Sequence, residues 1–310
     1  MRPVRSVLLR ASTSPWLARR LPRWYFTRRA VRRFMPGEDL EDALSAVASL
    51  RDDGFPAVIT QLGENVDDEQ AVNVVVGHYL AALDRVRDEG HDCHVSVKPT
   101  HLGLDLSSEL CLDAHRRLAA RAANHGNVLW NDMESSLYTD ATISLFRSLR
   151  RDFGNIGLCL QANLRRTESD LARLLPLAPS IRLVKGAYAE PSDVAFRRKR
   201  DVDAAYLRLA QHLLRHDYDE GDAIIGVATH DVALIQQVAA SARSHGRGAD
   251  DFEVQMLYGI RSGVQRQLAD EGFRVRVLIS YGDHWFPWYM RRLAERPANV
   301  WFVARSVFAH

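Results

Sequence analysis

Eight short apolar runs, each followed by a helical pattern, constrain the fold of this chain more than any other feature. The runs lie at 57–62, 94–98, 128–132, 156–161, 181–185, 223–229, 252–256 and 275–279. They are rich in β-branched and other apolar residues and nearly continuous, as strands covered on both faces should be. The intervening stretches read as amphipathic helices. In 67–87, Val72, Val75, Val76, Tyr79, Leu80 and Leu83 recur at helical spacing, and 106–123 follows with Ser107 as an N-cap. Further helices are expected at 141–151, 168–175, 202–215, 232–244, 262–270 and 288–295. Strict strand–helix alternation implies a parallel sheet, and eight repeats imply closure. The expected fold is therefore an α/β (β/α)8 barrel over 52–310, preceded by a helical arm over 1–51. The 310 residues suit such a barrel, which takes about 250 plus extensions. No linker, low-complexity tract or second domain is evident.

Composition narrows the function. With 46% hydrophobic and 26% charged residues, a sizeable core is expected. The net charge is only +2, and ten arginines precede the first acid, Glu38. The remainder is net negative, so no nucleic-acid partner is expected. Cys93, Cys111 and Cys159 are odd in number and show no CxxC spacing, which points to a reducing cytoplasm. No apolar run approaches a membrane span, and no secretory h-region follows Met1. The Arg-rich start reads three ways: a mitochondrial presequence, a membrane-surface helix or an N-terminal arm. Pro3, Pro15 and Pro22 interrupt any long helix there.

In such barrels chemistry gathers at the C-terminal ends of the strands. Polar residues fall there in this chain: Gln61 and Glu64 after the first run, then Lys98, Thr100 and His101, Asp132 and Glu134, Gln161 and Asn163. Arg182, Lys185 and Tyr188 close the fifth, Thr229, His230 and Asp231 the sixth, Gln255 and Tyr258 the seventh, and Tyr281, Asp283 and His284 the eighth. The chain has three lysines, and two of them, Lys98 and Lys185, stand at strand ends. Among so many arginines, a lysine there reads as a compact point charge. Lys98 and Asp132, on neighbouring strands, read as a buried ion pair. Neither HExxH nor an HxH after the first strand occurs, so no metal is expected. Walker and Rossmann glycine patterns are also missing. Lys185-Gly186-Ala187 still offers a charge and a close backbone approach for a phosphate.

Six runs carry a resemblance. Arg182-Leu183-Val184-Lys185-Gly186-Ala187-Tyr188, Ala228-Thr229-His230-Asp231 and Phe252-Glu253-Val254-Gln255-Met256-Leu257-Tyr258-Gly259 are similar to motifs of proline dehydrogenases. So are Val97-Lys98-Pro99-Thr100, Asp132-Met133-Glu134 and Arg291-Arg292-Leu293-Ala294-Glu295. They occur in order from about Arg33 onward, in the manner of the short monofunctional bacterial type. The resemblance implies an FAD enzyme that oxidises proline to 1-pyrroline-5-carboxylate by hydride transfer to flavin N5. It implies that Lys98, Asp132 and Arg182 form the catalytic set, with Arg182 at the flavin edge and Asp132 pairing Lys98. Gln161, Lys185, Gly186, Ala187, Arg200, Thr229, His230, Gln255 and Arg292 would hold FAD. Arg291 and Arg292 would grip the substrate carboxylate beside Lys98, Glu64 would pair the first arginine, and Tyr188 would line the substrate. A membrane quinone would accept the electrons, with peripheral membrane contact.

Four departures qualify this. Leu278 stands where the family places a tyrosine four residues before Gly282, and Trp288 where it places one three residues before Arg291. Asn163 replaces a tyrosine after Gln161-Ala162, and Asp231 follows His230. Carboxylate and flavin positions match while the aromatic wall around the ring is altered. Two alternatives therefore stay open: the same chemistry on a hydroxyproline- or pipecolate-like imino acid, and a ligand-binding barrel without catalysis.

Overall fold

The computed structural model describes residues 31, 33–216, 223–286 and 288–290. Eight parallel strands pair in sequence order, and β1 closes on β8. They are β1 (Ala57–Gln61), β2 (Cys93–Val97), β3 (Leu129–Asn131), β4 (Ile156–Gln161), β5 (Ser180–Val184), β6 (Ile225–Ala228), β7 (Glu253–Leu257) and β8 (Arg274–Tyr281). All eight expected strands are present. The largest shifts, of two residues, are at the start of β6 and at the end of β8, which runs on to Tyr281 because Thr60 and Gln61 of β1 continue the register with Ser280 and Tyr281.

The helices are α1 (Leu40–Asp52), α2 (Glu69–Asp88), α3 (Ser108–Asn124), α4 (Thr139–Arg150), α5 (Thr167–Leu174), α6 (Lys199–Arg215), α7 (Val232–Ser244) and α8 (Ser262–Asp270). Ser107 caps α3, its hydroxyl accepting the N–H groups of Glu109 and Leu110. Outward-facing strand residues and the inner helix faces form one apolar layer, in which Val76, Leu118, Phe146, Leu213 and Ile235 are buried.

The closing helix of the layer comes from the N-terminal side. Helix α1 packs against β1 and β8 and contributes Ala43, Leu44, Ala46 and Val47 to the common core. After β8 the chain forms helical residues 285, 286 and 288–290. Trp285, Phe286, Trp288, Tyr289 and Met290 pack there with Val31, Phe34, Met35 and Leu62. Leu62 follows the end of β1, so this second cluster lies at the C-terminal rim. Gly259, after β7, is part of the same junction. A Cβ there would lie 1.6 Å from the carbonyl oxygen of Arg33, and its φ is +68°. Only glycine accepts both the conformation and the contact.

Candidate active site

Successive side chains of a strand alternate between the two faces, so every second one enters the barrel. Branched apolar layers usually fill that interior. Here it is polar from the mouth downward. On β2 the inward row is His94 and Ser96, continued by Lys98; on the β3 side it is Trp130 and Asp132. Arg182 of β5 joins the two rows. Its Nη1 donates to Ser96 Oγ and to an Asp132 carboxylate oxygen, each at 3.0 Å, and Ser96 Oγ donates to Asp132 at 2.9 Å. Its Nε donates to Gln255 Oε1 at 2.8 Å. The guanidinium also lies 4.6 Å above the Trp130 ring, a cation–π contact. Burial first, and then Arg276 and Arg182, hold His94 well below the ordinary imidazole range. The neutral ring accepts the Trp130 indole N–H at 3.2 Å.

Asp132 therefore pairs with Arg182, not with Lys98 as the sequence predicts. Lys98 follows Val97 and Asp132 follows Asn131 in a shared register, so the two backbones are neighbours, but the Asp132 carboxylate is taken by Arg182 Nη1 at 3.0 Å and by the Ser96 hydroxyl at 2.9 Å. Lys98 is 7% exposed, and its charge acts on Glu134. Glu134 is buried and accepts the Thr100 N–H at 3.0 Å and the Thr100 hydroxyl at 2.6 Å. Burial pushes its carboxyl up to about 7; Thr100 and Lys98 work against this, and the neighbouring Glu64 works with it. Gln161 closes the group, its Nε2 donating to the carbonyls of Met133 and Glu134 at 3.0 and 2.7 Å.

The β5–β6 rim differs. Lys185 donates to Asp203 and Asp231, and Lys199 to the same two carboxylates. Burial works to raise the Asp231 carboxyl, but Lys199 and Lys185 overcome it and hold the group below the usual range. Thr229 Oγ1 accepts the Asp231 N–H at 3.2 Å, and His230 Nε2 accepts the Leu257 N–H at 3.3 Å. Gly186 has φ +101°, and a Cβ there would lie 2.0 Å from Asn163 Oδ1. Ala187 and Tyr188 are half-buried in the loop after β5, whereas Arg200, in the first turn of α6, is 75% exposed.

Leu278 is half-buried on β8, level with Val58 and Leu257. Trp288 is buried in the rim cluster. Arg291 and Arg292 lie outside the described residues. Sequence reasoning missed Ser96, Trp130, Glu253 and Arg276, all of which the period of two along the strands would have pointed inward.

The fold and the loaded rim define a barrel enzyme with a polar mouth. A family model described as proline dehydrogenase matches residues 43–305. The proline dehydrogenase of Deinococcus radiodurans is 39% identical over 281 residues, which is 89% of this chain and 89% of that protein. Proline dehydrogenase 1 of Bacillus subtilis subsp. natto is 38% identical over 284 residues, 91% and 92% of the two chains. Among solved structures, proline utilization A from Bdellovibrio bacteriovorus, inactivated by N-propargylglycine, superposes with a TM-score of 0.80 at 22% identity. The match covers 91% of this chain and 34% of that one, so this chain spans about a third of its length. The chain belongs to the proline dehydrogenase family.

Members of this family carry FAD, and the residues present fit it. Arg182 Nη2 and Gln161 Oε1 are a buried donor and a buried acceptor on adjacent strands, and neither has a partner among the described residues. An unmet buried polar atom costs about 1–3 kcal/mol, so the pair marks a place for a polar ligand. The unpartnered Asn163 Oδ1 and the side-chain-free Gly186 extend that place toward Lys185.

Proposed function

We propose that this chain is an FAD-dependent proline dehydrogenase that oxidises L-proline to 1-pyrroline-5-carboxylate. In a member of this family, the observation that carries the reading is the orphan pair of Arg182 Nη2 and Gln161 Oε1. FAD, when bound, supplies the acceptor for the two electrons leaving the substrate carbon. Arg182, Gln161 and Gln255 would hold its ring system, and Lys185, Gly186, Ala187, Arg200, Thr229 and His230 the remainder. Lys98 supplies a cation for the substrate carboxylate from a site that excludes most water, where charge counts for more. Arg291 and Arg292 would add planar, bidentate donors to that grip, with Glu64 and Tyr188 beside them. Asp132 holds Arg182 in place. Anaerobic addition of L-proline to the yellow, FAD-loaded protein bleaches its flavin band. A band that persists with proline and with every other cyclic imino acid overturns the proposal.

Leu278 favours a second reading on substrate range. It is half-buried on β8 where the family has a larger tyrosine, leaving room beside the ring. One side chain in an apolar pocket changes discrimination by about 1–3 kcal/mol. Leu278→Tyr combined with Trp288→Tyr should shift kcat/KM toward proline over 4-hydroxyproline and pipecolate. An unchanged ranking would leave plain proline specificity.

A membrane quinone is the proposed electron acceptor. Among the described residues, no helix is long and apolar enough to cross a membrane. The arginines before Glu38 are suited to an anionic lipid surface. Vesicle binding should weaken when residues before Arg28 are deleted, and equal binding would remove the arm from the account.

A further inference from the structure

Arg182 is the top of a polar ladder that runs through the barrel to its floor. At the bottom, Arg276 is fully buried. Its Nε and Nη2 donate to the two oxygens of Glu253, each at 2.9 Å, and its Nη1 to Asp92 at 2.8 Å and the Ala57 carbonyl at 3.1 Å. Arg274 adds a second cation to Glu253 at 3.0 Å. Gln255 comes next, its Nε2 donating to Glu253 at 3.3 Å while its Oε1 accepts from Arg182 Nε.

We propose that Glu253 and Arg276 are positioning residues, which fix the Gln255 amide in one orientation and through it the guanidinium of Arg182. This rests on reading the mouth as the redox site. The argument is one of donor and acceptor polarity. A carboxylate held between two arginines only accepts, so the amide nitrogen of Gln255 must face it. A flipped amide would set oxygen against carboxylate and NH2 against the Arg182 Nε–H. With the amide fixed, Arg182 is held at Nε from one side and at Nη1 from the other by Ser96 and Asp132. Because a guanidinium is planar, the direction of Nη2 follows.

Strand β6 carries a second, independent sign. Arg182 and Gln255 lie on β5 and β7, with β6 between them, and Gly226 is in register with both Arg182 and Glu253. A Cβ on Gly226 would stand 2.9 Å from Gln255 Nε2 and 3.0 Å from its Cδ. The bare backbone is what lets Gln255 reach across to Arg182. Stability alone does not account for the arrangement, since well-packed apolar groups often replace a buried ion pair without loss.

The test uses the FAD-loaded protein as wild type, Glu253→Gln, Gly226→Ala and the double Glu253→Met/Arg276→Met. In 15N-arginine spectra, with the Arg182 Nε–H assigned by its loss in Arg182→Lys, exchange of this proton should quicken about tenfold in each variant. Misplacement of this kind should lower kcat about ten- to a hundredfold, with KM for proline held within about twofold. The double variant should melt near the wild-type temperature and still lose kcat, and Gly226→Ala disturbs the amide without removing a charge. Folded variants with wild-type exchange and wild-type kcat would overturn the proposal. A wild type that does not oxidise proline would instead count against the proposed function, leaving the exchange result to be judged alone.

Discussion

The rim at β2–β3 and the rim at β5–β6 each present a strand-end lysine, and the two are built on opposite principles. Lys98 is buried beside a carboxyl whose own ionisation is suppressed. Lys185 is 26% exposed and sits in a balanced square with Asp203, Lys199 and Asp231. Charge in the first place is poorly screened and acts strongly on whatever enters. In the second it is neutralised by neighbours and water, so each pair is worth little. A lysine at a strand end thus tells where a cation stands, but its surroundings decide what it can do.

The largest effect should come from removing the buried cation. Lys98→Met should lower kcat/KM for proline by the equivalent of about 2–5 kcal/mol, chiefly through KM. A change below about twofold would make the two rims equivalent and break the contrast.

Glu134 sharpens it through pH. Its carboxyl stands at about 7 in the folded protein against an ordinary 4.5. The folded state therefore binds this proton more tightly than the unfolded chain. The resulting stability is fully present below about 4.5 and is lost as pH rises through about 7. The loss is on the order of 3 kcal/mol. Urea unfolding across this window should show the decline in wild type and a flatter profile in Glu134→Gln. In Lys98→Met the decline should move to higher pH. Identical profiles for wild type and Glu134→Gln would assign the group an ordinary ionisation.

The smallest effect belongs to the exposed rim. Lys199, 73% exposed, should cost no more than about 1 kcal/mol when replaced by Met, and less in high salt. A larger, salt-insensitive loss would mean that the square is a structural core in its own right.

Much of this was legible in the sequence because strand ends announce themselves. A β-branched run that stops at a polar residue locates a rim position without any knowledge of packing, and so Lys98, Gln161, Lys185 and Thr229 were found. The alternation of runs and helical patterns was equally readable, and all eight strands were found. Side-chain reach inside the barrel is not readable. Lys98 and Asp132 do follow a shared register, but sequence spacing does not show that Arg182, two strands further on, reaches the same carboxylate. Glu253 and Arg276 were overlooked because each stands within a run that reads as apolar, and their burial follows only from closure. The balance on Lys185 depends on Asp203, which α6 brings back from 18 positions further along. The two arginines at 291 and 292 and residues 1–30 of the N-terminal arm lie outside the described residues, so their places rest on the motif and on composition.

The most direct measurement of the central claim, that Arg182 is the fixed cation of a flavin seat, is an absorbance titration of FAD into the apoprotein. Folding of each variant is checked by thermal melting. Wild type should bind FAD tightly. Arg182→Met should bind at least about thirtyfold more weakly, the loss expected when a desolvated charged donor is removed. Equal FAD affinity in wild type and a folded Arg182→Met would contradict the claim.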